Sequence, residues 1–520
     1  MNMNPTQTLI DEFKPQYNLF QLVDLPSESF NPLSQGLSFF SQTDIPKAIS
    51  SIKAIDLKAL RILSTYSMKI EELSNDIIFT LNQGNNVFLF GCGATGRLSI
   101  SLEVFCRNGL LDSKFNDKIV GFMSGGDLAL IRSIEKFEDY PLYGANHLMD
   151  LGFKQGDLLI STTEGGETPI VIGATEKAIE ISKQKPYFLY CNPDEILIKK
   201  VERSKKVILN PEIKKISFDI GPMALSGSTR MQASTVLMFA VGAAFQRLKT
   251  EEKILNIIEG VIDFYEKMDL EALGKFIELE SDLYKSKEYL IYRTSQKFGV
   301  TILTDTTERS PTFTLNCFEN VLNEKDPMSL SYLSLKGIDE SEKAWKVLLG
   351  RSPRTLEWEF CKNLTGIKRL LGYDISEKIM EIRKAKNEKQ NIFNVDIVDA
   401  EKNIMKFELG KASWEIAFGE MHYLGINLIL KMIMNIHSTL VMGRLGRFES
   451  NVMTFVKPSN FKLIDRSIRY IKQILFEKFM MEVEYEEILK LLPQVANDLK
   501  EEEPFVVKAC NFIHDYLTKL

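Results

Sequence analysis

Apolar positions recur at helical spacing through LKALRILSTYSMKIEELSNDI, so a helix is expected within residues 51–80. A short aromatic and β-branched run follows in NVFLFGCGATGR and ends in glycines, the pattern of strand, turn and helix. KIVGFM at 118–123, DLLIST at 157–162, PYFLYCN at 186–192 and KVILN at 206–210 read as further short buried strands. Helical periodicities such as VIGATEKAIEIS separate several of them. This alternation predicts a parallel sheet covered by helices on both faces. The long helical stretch RMQASTVLMFAVGAAFQRL closes the first unit near residue 250.

The second half repeats the order more loosely. EYLIYR at 288–293 takes the place of the first strand, NIFNVDIV at 391–398 is a later one, and GINLILKMIMNIHSTLVMGRLG at 425–446 resembles the closing helix. A charged, helix-compatible segment, KNLTGIKRLLGYDISEKIMEIRKAKNEKQ, precedes the later strand. Residues 1–50, with their prolines and serines, read as an irregular surface arm, and the tail from about 467 is helical by periodicity. KEEEP at 500–504 reads as a solvated face or loop. The expected division is an arm at 1–50, domains at 51–255 and 256–466, and a helical region at 467–520. A chain of 520 residues and 59.4 kDa is too large for one ordinary core, which agrees with that division.

Charge and composition remove several function classes. The chain is 44% hydrophobic and 26% charged, with a formal net charge of -6 and no basic stripe, which argues against a nucleic-acid partner. The N-terminus has no basic leader followed by an apolar run, and no uninterrupted apolar stretch reaches the roughly 20 residues of a membrane span. The six cysteines lack CxxC spacing and read as reduced thiols of a cytoplasmic protein. The four histidines are too dispersed for a metal centre and read as surface or packing residues.

Candidate chemistry begins at GCGATGRL. Gly91, Gly93 and Gly96 let the chain turn tightly after a strand and bring backbone N–H groups to a helix start, and Thr95 can add a hydroxyl there. An anion suits this design. A dinucleotide would want an acidic residue about 20 positions further on, at the end of the second strand; Asp117 precedes that strand instead, so no NAD or other cofactor is expected. Ligands of open sheets sit at the carboxyl ends of strands, which makes STTEGGETP at 161–169, with Thr163, and LSGSTR at 225–230 the natural partners. Ser228, Thr229 and Arg230 offer hydroxyl and cationic donors; the alternative for them is helix capping with an exposed arginine. DTTERSPTF at 305–313 reads as an acidic turn closed by proline.

Several blocks in order, GCGATGR, GGDLALIRSIEKFED at 125–139, ETP at 167–169, CNP at 191–193 and LSGSTRMQA at 225–233, resemble the sugar isomerase (SIS) domain of N-acetylmuramic acid 6-phosphate etherases. NPLS at 31–34 resembles the arm of that family. The length, and KMIMNIHST at 431–439, are similar to the glucokinase regulatory proteins, which carry two such domains and a helical cap. The resemblance implies an α/β fold of two tandem SIS domains, each a mainly parallel sheet flanked by helices, with a helical C-terminal region. DTTERSPTF resembles the etherase block DASECPPTF, whose glutamate is catalytic; Glu308 retains that acid, and Phe105 stands at the equivalent place in the first copy. The other etherase carboxylate falls on Glu135.

The implied sugar-phosphate site comprises Gly91, Gly93, Thr95, Gly96, Glu135, Thr163, Ser228 and Thr229, with Lys431 reaching in from the second domain. The function expected first is that of a sugar-phosphate-binding protein of regulator type with a sugar kinase as partner. The alternative is an etherase-like lyase in which Glu135 and Glu308 divide acid and base work. Glu308 could also preserve only a buried or capping contact. Two departures bear on the phosphate: Gly165 removes a hydroxyl, and Glu167 places a negative charge near the expected anion. Gln232 and Met238 also replace two lysines of the etherase pattern.

Overall fold

The computed structural model describes residues 5–19, 25–134, 137–497, 499 and 503–519. Its first sheet is built from β1 (Val87–Gly91), β2 (Ile119–Met123), β3 (Leu158–Thr162), β4 (Tyr187–Tyr190) and β5 (Lys214–Ser217). The order is β2-β1-β3-β4-β5 and every pairing is parallel. Helices on both faces bury the strands completely at β1, β3 and β4, which is why these segments read as unbroken apolar runs.

A second sheet holds β6 (Tyr289–Thr294), β7 (Ser331–Leu335), β8 (Gln390–Asp399), β9 (Ile404–Leu409) and β10 (Ala412–Ala417). Its order is β10-β9-β8-β6-β7; β6 runs parallel to β7 and β8, whereas β8, β9 and β10 form an antiparallel meander. The sheet is therefore mixed. β9 and β10 alternate buried with partly exposed positions, the mark of strands with one wet face.

Two apolar helices, Gln232–Thr250 and Tyr423–Arg444, pack together at the centre. The second is long and apolar enough to cross a membrane, yet its apolar window is 100% buried inside the protein. It is a core helix.

Several expectations change. KVILN is not a strand: Glu202–Ile208 is a helix, and the last strand of the sheet falls at Lys214–Ser217. Val207 and Ile208 are buried while Lys205 and Lys206 occupy the last helical turn, where cations meet the carbonyl end of the helix dipole. The stretch from 51 to 80 holds parts of two helices, Ile45–Ser64 and Ser67–Asn82, broken around Thr65 and Tyr66. The arm is also more regular than expected, with helices at Pro5–Phe13 and Leu37–Thr43, and the Asp44 carboxylate accepts the Lys47 N–H as a helix cap. DTTERSPTF is not a turn but the end of the helix Gln296–Phe313, with Pro311 near its terminus. Part of KEEEP lies outside the described residues.

Candidate functional site

A cavity of about 390 Å³ opens at the carboxyl ends of the first sheet. The turn after β1 supplies Gly93 and Arg97 from the start of the helix Gly93–Phe105, and Glu164 comes from the turn after β3. Ser228 and Thr229 approach from the loop before the central helix, and Glu308 comes from the helix Gln296–Phe313. A polar cavity at strand ends, walled by a helix N-terminus, is the placement expected for a small anionic ligand.

The donors facing it are not saturated. Arg97 is 2% exposed and its Nε and Nη2 have no hydrogen-bond partner among the described residues; the Ser228 hydroxyl is likewise buried and unpartnered. Unmet donors of this kind are costly unless a ligand or water meets them. The carboxylates of Glu164 and Glu308 also lack a side-chain partner among the described residues. Burial pushes Glu308 up against the opposing pull of Arg97, Arg230 and Lys431. Burial pushes Glu164 up to about 7, with only partial relief from Lys462.

The residues expected from the sequence take different positions. Gly93, Ser228, Thr229 and Glu308 line the cavity. Gly91 and Gly96 shape the turn instead: a Cβ at Gly91 would stand 2.4 Å from the Thr95 carbonyl carbon, and one at Gly96 would stand 2.6 Å from Met123 Cβ. The Thr95 hydroxyl is committed to its own turn, accepting from Cys92 N at 3.2 Å and donating to Cys92 O at 2.9 Å. Thr163 shares a 2.8 Å hydrogen bond with Thr168. Lys431 stands behind the loop, where its Nζ donates to Arg230 O at 2.8 Å, Thr235 Oγ1 at 2.8 Å and Asn435 Oδ1 at 2.9 Å. Burial pushes its ammonium down to about 8. Glu135 lies outside the described residues.

Arg230 is buried, which corrects the alternative of an exposed arginine. Its Nη1 donates to Asp305 Oδ1 at 2.9 Å and its Nη2 to Thr439 Oγ1 at 2.8 Å, tying the 225–230 loop to the second half of the chain. His437 is a packing residue against Glu280, in a network that includes Arg309 and Tyr292. The described residues contain no group of His, Cys, Asp and Glu arranged to hold a metal ion.

Glu167 does not point a bare charge at the ligand. Arg203 Nη2 lies 2.6 Å from its Oε2 and Lys462 Nζ 3.0 Å from its Oε1. Burial would raise this carboxyl, but Lys462 and Arg203 outweigh it and hold it at about 2. Gly165 makes room for the arrangement, since a Cβ there would stand 3.0 Å from Glu167 Oε1. The two departures from the etherase pattern are thus one packing unit.

Lys462 and Arg466 are lining residues that sequence reasoning missed. They project from the helix Phe461–Phe479, and Arg466 pairs at 2.7 Å with Glu28 of the arm, which also meets Arg469 at 2.9 Å. The C-terminal helix closes this side of the cavity, and Glu28 of the arm holds that helix through the two arginines. Burial raises Glu28 as well, yet Arg466 and Arg469 hold it at about 2. Because Glu28 and Glu167 fold with depressed values, their stabilisation is complete above their ordinary value of 4.5 and is lost as pH falls toward 2. Chemical denaturation midpoints are expected to drop across that window, and Glu28→Gln to flatten part of the drop; an identical acid limb in the variant would refute the assignment.

The fold and cavity define a ligand site of the open-sheet kind: a parallel sheet with a polar, anion-suited pocket at its strand ends. Residues 69–179 match the family described as glucokinase regulatory protein N-terminal SIS domain. The chain is 28% identical over 247 residues to the N-acetylmuramic acid 6-phosphate etherase of Bacillus pumilus (strain SAFR-032), covering 45% of this chain and 76% of that protein. It is 27% identical over 268 residues to the same enzyme of Lactococcus lactis subsp. lactis (strain IL1403), covering 46% and 82%. The crystal structure of tagatose-6-phosphate ketose/aldose isomerase from Escherichia coli aligns with a TM-score of 0.42 at 10% identity, over 78% of this chain and 94% of that one.

Proposed function

We propose that the chain binds a sugar phosphate in this cavity and cleaves an ether carbon–oxygen bond in it, as an etherase-like lyase with Glu308 as an acid–base group. The observation that supports this is the position of Glu308: it comes from the second half of the chain to line a cavity at the strand ends of the first sheet, and burial raises its carboxyl. A lyase of this type needs a carboxylate to move a proton beside a carbonyl. The phosphate is assigned to Gly93, Arg97, Ser228 and Thr229, whose donors converge without partners of their own in the case of Arg97 and Ser228.

In this reading the halves are two tandem SIS domains at 51–255 and 256–466. β6 stands for β1, the helix Gln296–Phe313 for Gly93–Phe105, and Tyr423–Arg444 for Gln232–Thr250. The chain has one working site, because Phe105, at the position equivalent to Glu308, is buried with its ring 5.6 Å from that of Tyr423.

Calorimetry with N-acetylglucosamine 6-phosphate tests the pocket, and lactate release from N-acetylmuramic acid 6-phosphate tests the chemistry. Arg97→Met is expected to weaken the sugar phosphate by about 10-fold or more, the worth of one charge-assisted hydrogen bond. Unchanged affinity would remove Arg97 from the phosphate site. Phe105 favours a second reading, a binding protein that regulates a sugar kinase: saturable binding with no lactate release, and ligand-dependent inhibition of a sugar kinase, would establish it instead.

A further inference from the structure

Glu164 stands two residues beyond β3, and its position lines the same cavity as Glu308. It is 5% exposed, and its carboxylate has no side-chain hydrogen bond or ion pair among the described residues, only the contact with its own backbone N–H. A buried carboxyl without a partner is held by a proton or by a ligand.

The charged groups around the two acids differ. Glu164 is faced by Glu138, Glu308 and the Cys191 thiol, with Lys462 of the helix Phe461–Phe479 as its principal cation. That cation already serves Glu167 at 3.0 Å and Glu138 at 3.7 Å. Glu308 is faced by Arg97, Arg230 and Lys431, with Asp305 opposing them. Burial raises both carboxyls, but the carboxylates around Glu164 further oppose its ionisation while the cations around Glu308 favour it. The value of about 7 for Glu164 agrees with this division. Arg97 and Ser228, buried in the same walls with unmet donors, are an independent sign that the space is suited to a polar ligand.

We infer that Glu164 is the general acid of the ether cleavage, protonating the leaving oxygen while Glu308 takes the carbon-bound proton. The inference rests on the lyase reading above. In the step, the C–H bond beside the carbonyl breaks, its proton passes to Glu308 and its electron pair forms a C=C bond. The ether C–O bond breaks as the leaving oxygen takes the Glu164 proton. Water then adds across the double bond with the two proton transfers reversed, so one water is consumed and both carboxyls are restored. Glu135, to which the resemblance assigns a carboxylate role, makes the competing prediction.

The test measures lactate release from N-acetylmuramic acid 6-phosphate by the full chain between about pH 5 and pH 9, for wild type, Glu164→Gln and Glu135→Gln, beside N-acetylglucosamine 6-phosphate binding. Glu164→Gln is expected to lower kcat by about 10²–10⁴-fold, to remove the alkaline fall of the kcat/KM profile, and to bind normally. An analogue with a phenolic leaving group, which departs without protonation, should restore turnover to Glu164→Gln but not to Glu308→Gln. If the Gln variant fails to bind, Glu164→Asp must bind and keep the alkaline limb; its failure to do so overturns the inference. Wild-type rate and profile in Glu164→Gln, or loss of the limb in Glu135→Gln instead, overturns it while the lyase stands. Sugar-phosphate binding without lactate from wild type overturns both.

Discussion

Glu308→Gln is expected to lower lactate release by about 10²–10⁴-fold while leaving the affinity for N-acetylglucosamine 6-phosphate essentially unchanged. The amide has the shape of the carboxyl and cannot take a proton at neutral pH. No ion pair of Glu308 is broken by the change, because the carboxylate has no partner among the described residues, and the phosphate donors Arg97, Ser228 and Thr229 belong to other elements. Uncoupling of turnover from binding is therefore the signature. A variant with wild-type turnover would return Glu308 to a purely structural contact, and one that lost both would place it in ligand binding.

Asp305→Ala, about one helical turn from Glu308, is expected to act on stability. Asp305 Oδ1 accepts from Arg230 at 2.9 Å, Asn435 at 3.0 Å and Ser438 at 2.9 Å, while its Oδ2 lies 3.1 Å from Arg309 Nη2. The pair with Arg230 is nearly inaccessible, with side chains 3% and 1% exposed. Truncation leaves buried guanidinium charge uncompensated, which costs about 3–5 kcal/mol. Arg309 keeps Glu280 at 2.7 Å, so Arg230 bears more of the loss. The denaturation midpoint should fall accordingly, and sugar-phosphate affinity should fall with it, since Arg230 fixes the loop that presents Ser228 and Thr229. A midpoint within error of wild type would show that the network contributes no net stability. Asp305→Asn, which keeps an acceptor for Arg230, should fall between the two.

The most legible parts of the chain were those where local pattern and tertiary burial demand the same residues. VFLFG must be strand because it is apolar and ends at a glycine, and Gly91 is required because any Cβ there would enter the Thr95 backbone. KVILN misled because so short an apolar run fits the end of a helix as well as a strand; Val207 and Ile208 are buried in the helix, whereas Leu209 beyond it is exposed. β9 and β10 escaped notice because their half-exposed alternation carries little apolar signal.

In the site, sequence by itself determined the chemistry available: the glycine turn, the Ser228–Thr229 hydroxyls and the retained acid at Glu308. The tertiary structure decided how that chemistry is used. It turned Thr95 and Lys431 toward backbone and neighbouring side chains, and joined Glu167 to Lys462 across 295 positions of the chain (462 − 167). It also brought Glu308 into a cavity whose walls come from both halves of the chain. The reason is that a side chain's type sets which bonds it can make, whereas its partners and its protonation are set by which distant segments bury it, and no local spacing records that.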